Sequence, residues 1–182
     1  QGRGQRIGGV EQLDASYAVM AASWREHGTP VLAKSVFGSV AQTFGQDARI
    51  FVAYQGTLPV AAALTGYHNG VVEGLWAGSL SSFRAAQPNY VLYWEMIKHA
   101  CETKQTIFHL GRSTAGSGAE TFKSKWNADA KQLYWQYYLP KGGAMPRLNV
   151  DNPKYRLAIS AWRHMPLRLT TLIGPLLANS IP

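Results

Sequence analysis

Cysteine occurs once in 182 residues, at Cys101, so no intrachain disulfide can form. No histidine or second cysteine stands near it at zinc-ligand spacing, which removes a structural zinc site as a staple for the fold. Such a chain suits a reducing compartment. Cys101 falls in a stretch that reads as helix, where a small buried thiol is the expected state. Acidic residues are scarce too: 10 Asp and Glu against 18 Lys and Arg leave a net charge of +8. That excess favours anionic partners such as RNA, phosphorylated carriers or an acidic membrane surface, and says nothing about fold. Long apolar runs are missing. The most apolar stretch, near the C-terminus, is interrupted by Pro166, Arg168 and Pro175, and nothing reaches the ~20 residues of a bilayer span. The opening Gln-Gly-Arg-Gly-Gln-Arg has neither a signal-peptide core nor hydrophobic periodicity. The expectation is a segment of a longer protein, cytoplasmic or peripheral at the inner membrane.

What is present is enough apolar material for one compact core, with 46% hydrophobic and 12% aromatic residues and no internal repeat or low-complexity tract. Residues 11–24 place Leu13, Tyr17, Met20, Ala21 and Trp24 at helical spacing, and Gly28-Thr29-Pro30 ends the pattern. Residues 31–44 give a second helix, with Val36, Phe37, Val40 and Phe44, closed by Gly45. Residues 49–54, 58–67 and 71–76 are strand-like, and the Asn69-Gly70 pair is a strong hairpin signal, so they predict a three-stranded antiparallel meander. Pro88-Asn89 opens a helix running to about Lys104 along Tyr90, Tyr93, Trp94, Ile97 and Cys101. A short buried-type strand is predicted over 106–110, a loop entering a short helix over 116–126, and an aromatic strand over 132–139 ended by Pro140.

The expected order is therefore two helices, three strands, helix, strand, helix, strand. It predicts an α+β fold with a mixed, mostly antiparallel sheet flanked by helices, and fits poorly to a doubly wound nucleotide-binding sheet. The organisation expected is one folded domain over 1–140, a Gly-, Pro- and Asn-rich linker over 141–153, and a basic amphipathic tail over 154–182. The tail sets Lys154, Arg156, Arg163 and Arg168 among Trp162, Leu169, Leu172 and Ile173, a pattern for an anionic membrane surface, for docking, or for self-association.

The densest cluster of chemistry-bearing residues is Gly111-Arg112-Ser113-Thr114-Ala115-Gly116-Ser117-Gly118, directly after the 106–110 strand and leading into Phe122-Lys123-Ser124-Lys125-Trp126. Glycine-rich backbone ahead of a helix can present amide hydrogens to an anion. It is not a P-loop, because Ser117 stands where the lysine-bearing pattern would continue after the second glycine. Arg112 offers a planar fork for phosphate or carboxylate, and Lys123 and Lys125 offer compact charges for a pyrophosphate or a developing oxyanion; the alternative is a solvated basic face. No serine sits in a G-x-S-x-G elbow, so Ser113 with His109 does not read as a hydrolase pair, and His109 is expected to be an ordinary strand residue. Glu73 and Glu95 stand in apolar surroundings that can raise a carboxyl pKa towards general-base use, though strand and helix faces commonly carry such residues as solvent contacts. Most of Tyr90, Tyr93, Trp94, Trp126, Tyr134, Trp135, Tyr137 and Tyr138 are expected in the core, with Trp76 or Trp126 available to line a cleft.

Several segments together resemble the C-terminal half of FemAB-like proteins associated with exosortase (PEP-CTERM) systems: WREHGTPV from Trp24, PNYVLYWEMI from Pro88, FHLGRSTAGSG from Phe108, FKSKW from Phe122 and NPKYRLAISAWRHMP from Asn152. The similarity spans nearly the whole chain after about residue 11. It implies a GNAT-like (acyl-CoA N-acyltransferase) fold, the second of two such domains, and transfer of an acyl or aminoacyl group to an amine of a cell-envelope or polysaccharide precursor. By the same resemblance Lys123 supplies charge stabilisation and Arg112 an anion contact; the glycine-rich loop and the aromatic residues add Ser113, Gly116, Gly118, Lys125, Trp126 and Trp76 as candidate substrate contacts. No permanently bound cofactor is implied. The donor would be aminoacyl-tRNA or acyl-CoA. The implied partners are an anionic or lipid-linked precursor, tRNA and a preceding GNAT-like domain, and the amphipathic tail adds a second copy of the chain. Two departures stand out: the first GNAT-like domain and the inserted helical arm of some tRNA-dependent members are not in this sequence. An acetyl-CoA-dependent GNAT enzyme carries a Q/R-x-x-G-x-G/A loop between meander and helix, and residues 79–89 lack it. A plain acetyltransferase and a non-catalytic precursor-binding module are the alternatives.

Overall fold

The computed structural model describes residues 3–134, 136–139 and 153–178. Its elements in chain order are β1 (Arg3–Gly8), α1 (Leu13–His27), α2 (Lys34–Phe44), β2 (Ala48–Gln55), β3 (Leu58–His68), β4 (Val71–Ser79), α3 (Pro88–Glu102), β5 (Ile107–His109), α4 (Gly118–Ser124), α5 (Pro153–His164) and α6 (Leu167–Ala178). Two compact units contain them, Gln1–Gly111 with Ile159–Pro182, and Arg112–Ala158.

The first unit holds a five-stranded sheet in the order β1-β2-β3-β4-β5, antiparallel throughout except that β4 and β5 run parallel. The predicted meander is β2-β3-β4. Its second turn has φ of 48° at Asn69 and 79° at Gly70, the double left-handed conformation for which an Asn-Gly pair is suited. Strand β1 corrects the expectation that two helices precede any strand. Its residues show no hydrophobic pattern, and it is held by the backbone ladder, Arg3 opposite Gln55 through Gly8 opposite Ile50.

Period-two alternation divides the sheet between two helical layers. On one face Ile50, Val52, Ala62 and Leu64 pack with Val19 and Met20 of α1 and Ala41 of α2. On the other, Phe51, Ala53, Ala61 and Ala63 pack with Leu92 and Met96 of α3. Helix α1 ends at Gly28, φ 80°, where Gly28 N–H bonds the Arg25 carbonyl and Thr29 N–H the Trp24 carbonyl. The tail joins this layer. Gly174 of α6 lies against the Val31 backbone, whose oxygen would stand 3.0 Å from any added Cβ, and Trp162 is buried. Pro166 separates α5 from α6, whereas Pro175 sits inside α6 and does not end it.

Three expectations about single elements change. The buried line of α3 is Pro88, Leu92, Met96 and Ala100, one helical face of four-residue steps, so Trp94 and Cys101 point outward and Cys101 is an exposed thiol. In the second unit, residues 132–134 and 136–139 form no strand, and Tyr134, Tyr137 and Tyr138 are exposed instead of core. Alternating aromatics favour a strand only where a neighbour supplies the ladder, and none of the described residues of that unit is in a strand. Of the expected linker 141–153, residues 141–152 lie outside the described residues and Pro153 opens α5.

Candidate functional site

Strand β4 is paired unequally on its two sides. On one side β3 pairs with it from Val71 to Ser79, but on the other β5 pairs only at Val71, Val72 and Glu73. The β4–β5 ladder ends at Glu73, because β5 stops at His109 and Gly111 turns the chain with φ 72°. Just past that point β4 bulges. Thr65 opposes Gly74 and Leu64 opposes Trp76, so Leu75 is an extra residue pushed outward, 41% exposed. A bulge there bends the strand and re-aims the side chains on either side of it.

At the end of that ladder stand two titratable groups. Glu73 and His109 are ladder partners, and His109 Nδ1 lies 2.7 Å from Glu73 Oε2, with both side chains about half exposed. A carboxylate that accepts from Nδ1–H fixes the tautomer and leaves the Nε2 lone pair to take a proton. The sequence offered each of these residues singly and gave no reason to join them; the signal that finds them is the strand register. Glu95 is used differently, 3.9 Å from Lys98 one turn along α3. Trp76, the predicted substrate contact on β4, packs edge-on against Phe37 at 5.0 Å and is partly buried in an aromatic group with Trp24 and Tyr17.

The backbone past the end of β4 is committed to the protein itself. Ser79 N–H donates to Ser23 Oγ at 3.1 Å, Leu80 N–H to the Val60 carbonyl at 2.9 Å, and Ser81 N–H to the Glu26 carboxylate at 3.1 Å. A 3-10 turn over Ser81–Ala86 consumes the amides of Phe83 and Gln87, and Tyr90 N–H bonds the Gln87 carbonyl in the first turn of α3. Helix α1 reaches β4 because Gly78 has no side chain: Ser23 Cβ would lie 3.0 Å from a Cβ there. These amides therefore do not form the open cradle expected of a pyrophosphate loop, and a carboxylate already sits on one of them. Arg84 is the single basic residue of 79–89.

The second unit carries the sequence-predicted cluster. Ser117 caps α4, its Oγ accepting from Glu120 N–H at 3.2 Å, while Glu120 Oε2 accepts from Gly116 N–H at 2.6 Å. This is a variant of the capping box in which the carboxylate of Glu120 takes the amide one residue before the N-cap. The Gly116 amide, read from sequence as available to an anion, is thus satisfied by the chain's own carboxylate. Lys123 Nζ donates to the Arg112 carbonyl at 3.0 Å, drawing the start of the loop to α4. Phe122 and Trp126 pack edge-on, 6.2 Å apart. Arg112, Gly118 and Lys125 are exposed, Ser113 partly so. The structure thus brings Arg112, Gly116 and Lys123 into one hydrogen-bonded turn, with Trp76 on the other unit. Among the described residues no group of three or more His, Cys, Asp or Glu could hold a metal.

The model of the acetyltransferase (GNAT) domain family matches residues 3–124, from β1 to the end of α4. No curated protein matches the chain. Among solved structures, the aminoglycoside acetyltransferase meta-AAC0020 from an uncultured soil metagenomic sample, in complex with sisomicin, is similar with a TM-score of 0.60 at 9% identity, over 76% of this chain and 97% of that one. The ribosomal-protein-S18-alanine N-acetyltransferase of Escherichia coli follows at 0.59 and 14% identity, over 77% and 87%. The aminoglycoside 6'-N-acetyltransferase AAC(6')-Ih of Acinetobacter baumannii gives 0.57 and 14%, over 76% and 100%. At such identities the likeness is one of fold, and it agrees with the mixed sheet and helical layers described above. With two thirds of its length matched by the family model and the same architecture in these structures, the chain belongs to the GNAT acetyltransferase family.

Proposed function

We propose that this chain is an N-acyltransferase of the FemAB type, one half of a two-domain protein that moves an acyl or aminoacyl group from an anionic carrier to an amine of a cell-envelope or polysaccharide precursor. The observation that supports acyl transfer to an amine is the Glu73–His109 pair at the end of the β4–β5 ladder. An amine attacks only as its free base. His109 Nε2, oriented through Nδ1 by Glu73, takes the proton as the amine nitrogen bonds to the acyl carbon, and the bond from that carbon to the carrier's oxygen or sulfur breaks. The protonated imidazole then returns the proton to the leaving group. In this reading Arg112 contacts an anionic group and Lys123 stabilises charge while holding the Arg112 carbonyl.

Against a plain acetyl-CoA enzyme stands the turn after β4, whose amides bond Ser23, Val60 and Glu26. In favour of it stands the short β4–β5 ladder, which leaves β4 without a described parallel partner after Glu73. Ligand-dependent thermal stabilisation separates the two. The chain and Lys123→Ala are melted with acetyl-CoA, with aminoacyl-tRNA and with nucleotide-linked muropeptide precursors. A shift with tRNA or precursor that Lys123→Ala loses supports the FemAB reading. A shift with acetyl-CoA alone overturns it in favour of an acetyltransferase, and no shift with any of the three leaves it without a substrate.

A further inference from the structure

Helix α6 has two unlike faces. Thr170 and Gly174 are buried within the first unit, and Leu167 packs beside Ala21, Val31 and Phe37. On the opposite side Leu172 and Leu176 are 72% and 73% exposed, with Leu169 and Leu177 at 43% each. Leu169, Leu172 and Leu176 follow the i, i+3, i+7 spacing that puts them in one stripe along the helix. Single exposed leucines are ordinary, but a contiguous stripe on one helix marks a surface that is covered in use.

The charges around the stripe indicate by what. Between Pro153 and Ala178 there is no aspartate or glutamate, while Lys154, Arg156, Arg163 and Arg168 are all basic. Arg168 is exposed and precedes Leu172 by four residues, one turn, so it borders the stripe. Arg163, although exposed, donates from Nη2 to the His27 carbonyl at 3.2 Å, which anchors the end of α5 to the C-terminus of α1. A second copy of the chain would set cation against cation across this face. An anionic lipid surface would set phosphates against Arg168 and an apolar boundary against the leucines. No described helix is long and apolar enough to cross a membrane, so the fitting arrangement is a helix lying in the surface.

We propose that α6 is an interfacial helix that seats Leu169, Leu172 and Leu176 in the headgroup region of an anionic membrane, with Arg168 on lipid phosphate. The proposal stands apart from the acyl-transfer reading, since it needs no donor or acceptor. Its test is co-sedimentation of the full chain with vesicles of phosphatidylcholine alone and of phosphatidylcholine mixed with phosphatidylglycerol. Binding is expected on the mixed vesicles only, weakened by added salt. It should fall at least about tenfold in Leu172→Ser/Leu176→Ser and in Arg168→Glu. Both substitutions are at exposed positions, so melting temperatures should match the parent chain, and Leu58→Ser, at an exposed leucine of β3, should bind as the parent does. Equal binding to neutral vesicles, no binding to either, or unaltered binding by the double variant overturns the proposal. Concentration-dependent dimerisation that the double variant abolishes would assign the stripe to a second copy and overturn it as well.

Discussion

Two glycines on one strand predict opposite outcomes for the same substitution. At Gly78 a Cβ would stand 3.0 Å from Ser23 Cβ, 3.1 Å from Ser23 Oγ and 3.4 Å from Met20 Sδ, and both of those residues of α1 are nearly fully buried. Gly78→Ala therefore pushes α1 off β4 by a few tenths of an ångström, an overpacking that costs about 1–3 kcal/mol. Replacing a strand glycine returns about 0.5–1 kcal/mol of backbone entropy, so the net loss is about 1–2 kcal/mol. At Gly74, four residues earlier, nothing lies within 4 Å of the added methyl, and Gly74→Ala keeps the entropic gain alone. In a chain of 182 residues the two convert to a fall of about 3–6 °C and a rise of about 1–3 °C in Tm. Differential scanning calorimetry or circular dichroism melts of the two variants and the parent check it. Equal shifts of the same sign would show that α1 does not press on β4 at Gly78, and with that the sealed turn after β4 would lose its structural basis.

Glu73→Gln and His109→Gln should each lower acyl transfer about 100-fold or more, the usual worth of a positioned acid–base group. Each should change stability by less than about 1 kcal/mol, because the pair is about half exposed; steady-state rates with matched urea curves decide, and a stability loss without a rate loss would make the pair structural. Burial first, then the charge of Arg49, hold the His99 pKa below its ordinary 6.5, with Glu102 opposing. The folded state disfavours the imidazolium, so this contribution to stability is present above pH 6.5 and is lost as pH falls through the lower folded value; His99→Gln should flatten the dependence, and equal acid sensitivity in both chains would remove His99 as its source. Glu120→Ala breaks the capping box at Gly116 and should cost the short α4 about 1 kcal/mol. That cost reads as roughly fivefold faster amide exchange within 116–124, and unchanged exchange there would refute it.

The regular parts of this fold were legible because each depends on residues close in sequence. Gly28 and Gly45 stop helices, Asn69-Gly70 makes a hairpin, and apolar spacing marks α1, α2 and α3. Cys101 shows the limit of periodicity: a helix with apolar residues on more than one side does not declare which line is buried, and packing on Phe51 and Ala63 chose Leu92 and Met96. Strand β1 and the described residues of 132–139, none of them in a strand, show the same limit for sheets. A patternless segment pairs when β2 offers an edge, and a patterned one stays unpaired when nothing does.

The candidate site divides in the same way. Sequence alone determined the family resemblance, the basic tail, the glycine-rich turn around Arg112 and the lack of a pyrophosphate motif after β4, since each is a matter of residue type and local spacing. Tertiary structure alone decided that Glu73 meets His109, that the β4–β5 ladder ends with them, and that Ser23 and Glu26 hold the amides of Ser79 and Ser81. Those relations join elements far apart along the chain, and what sets them is strand register and the close approach of α1 to Gly78, neither of which is encoded in any short stretch of residues.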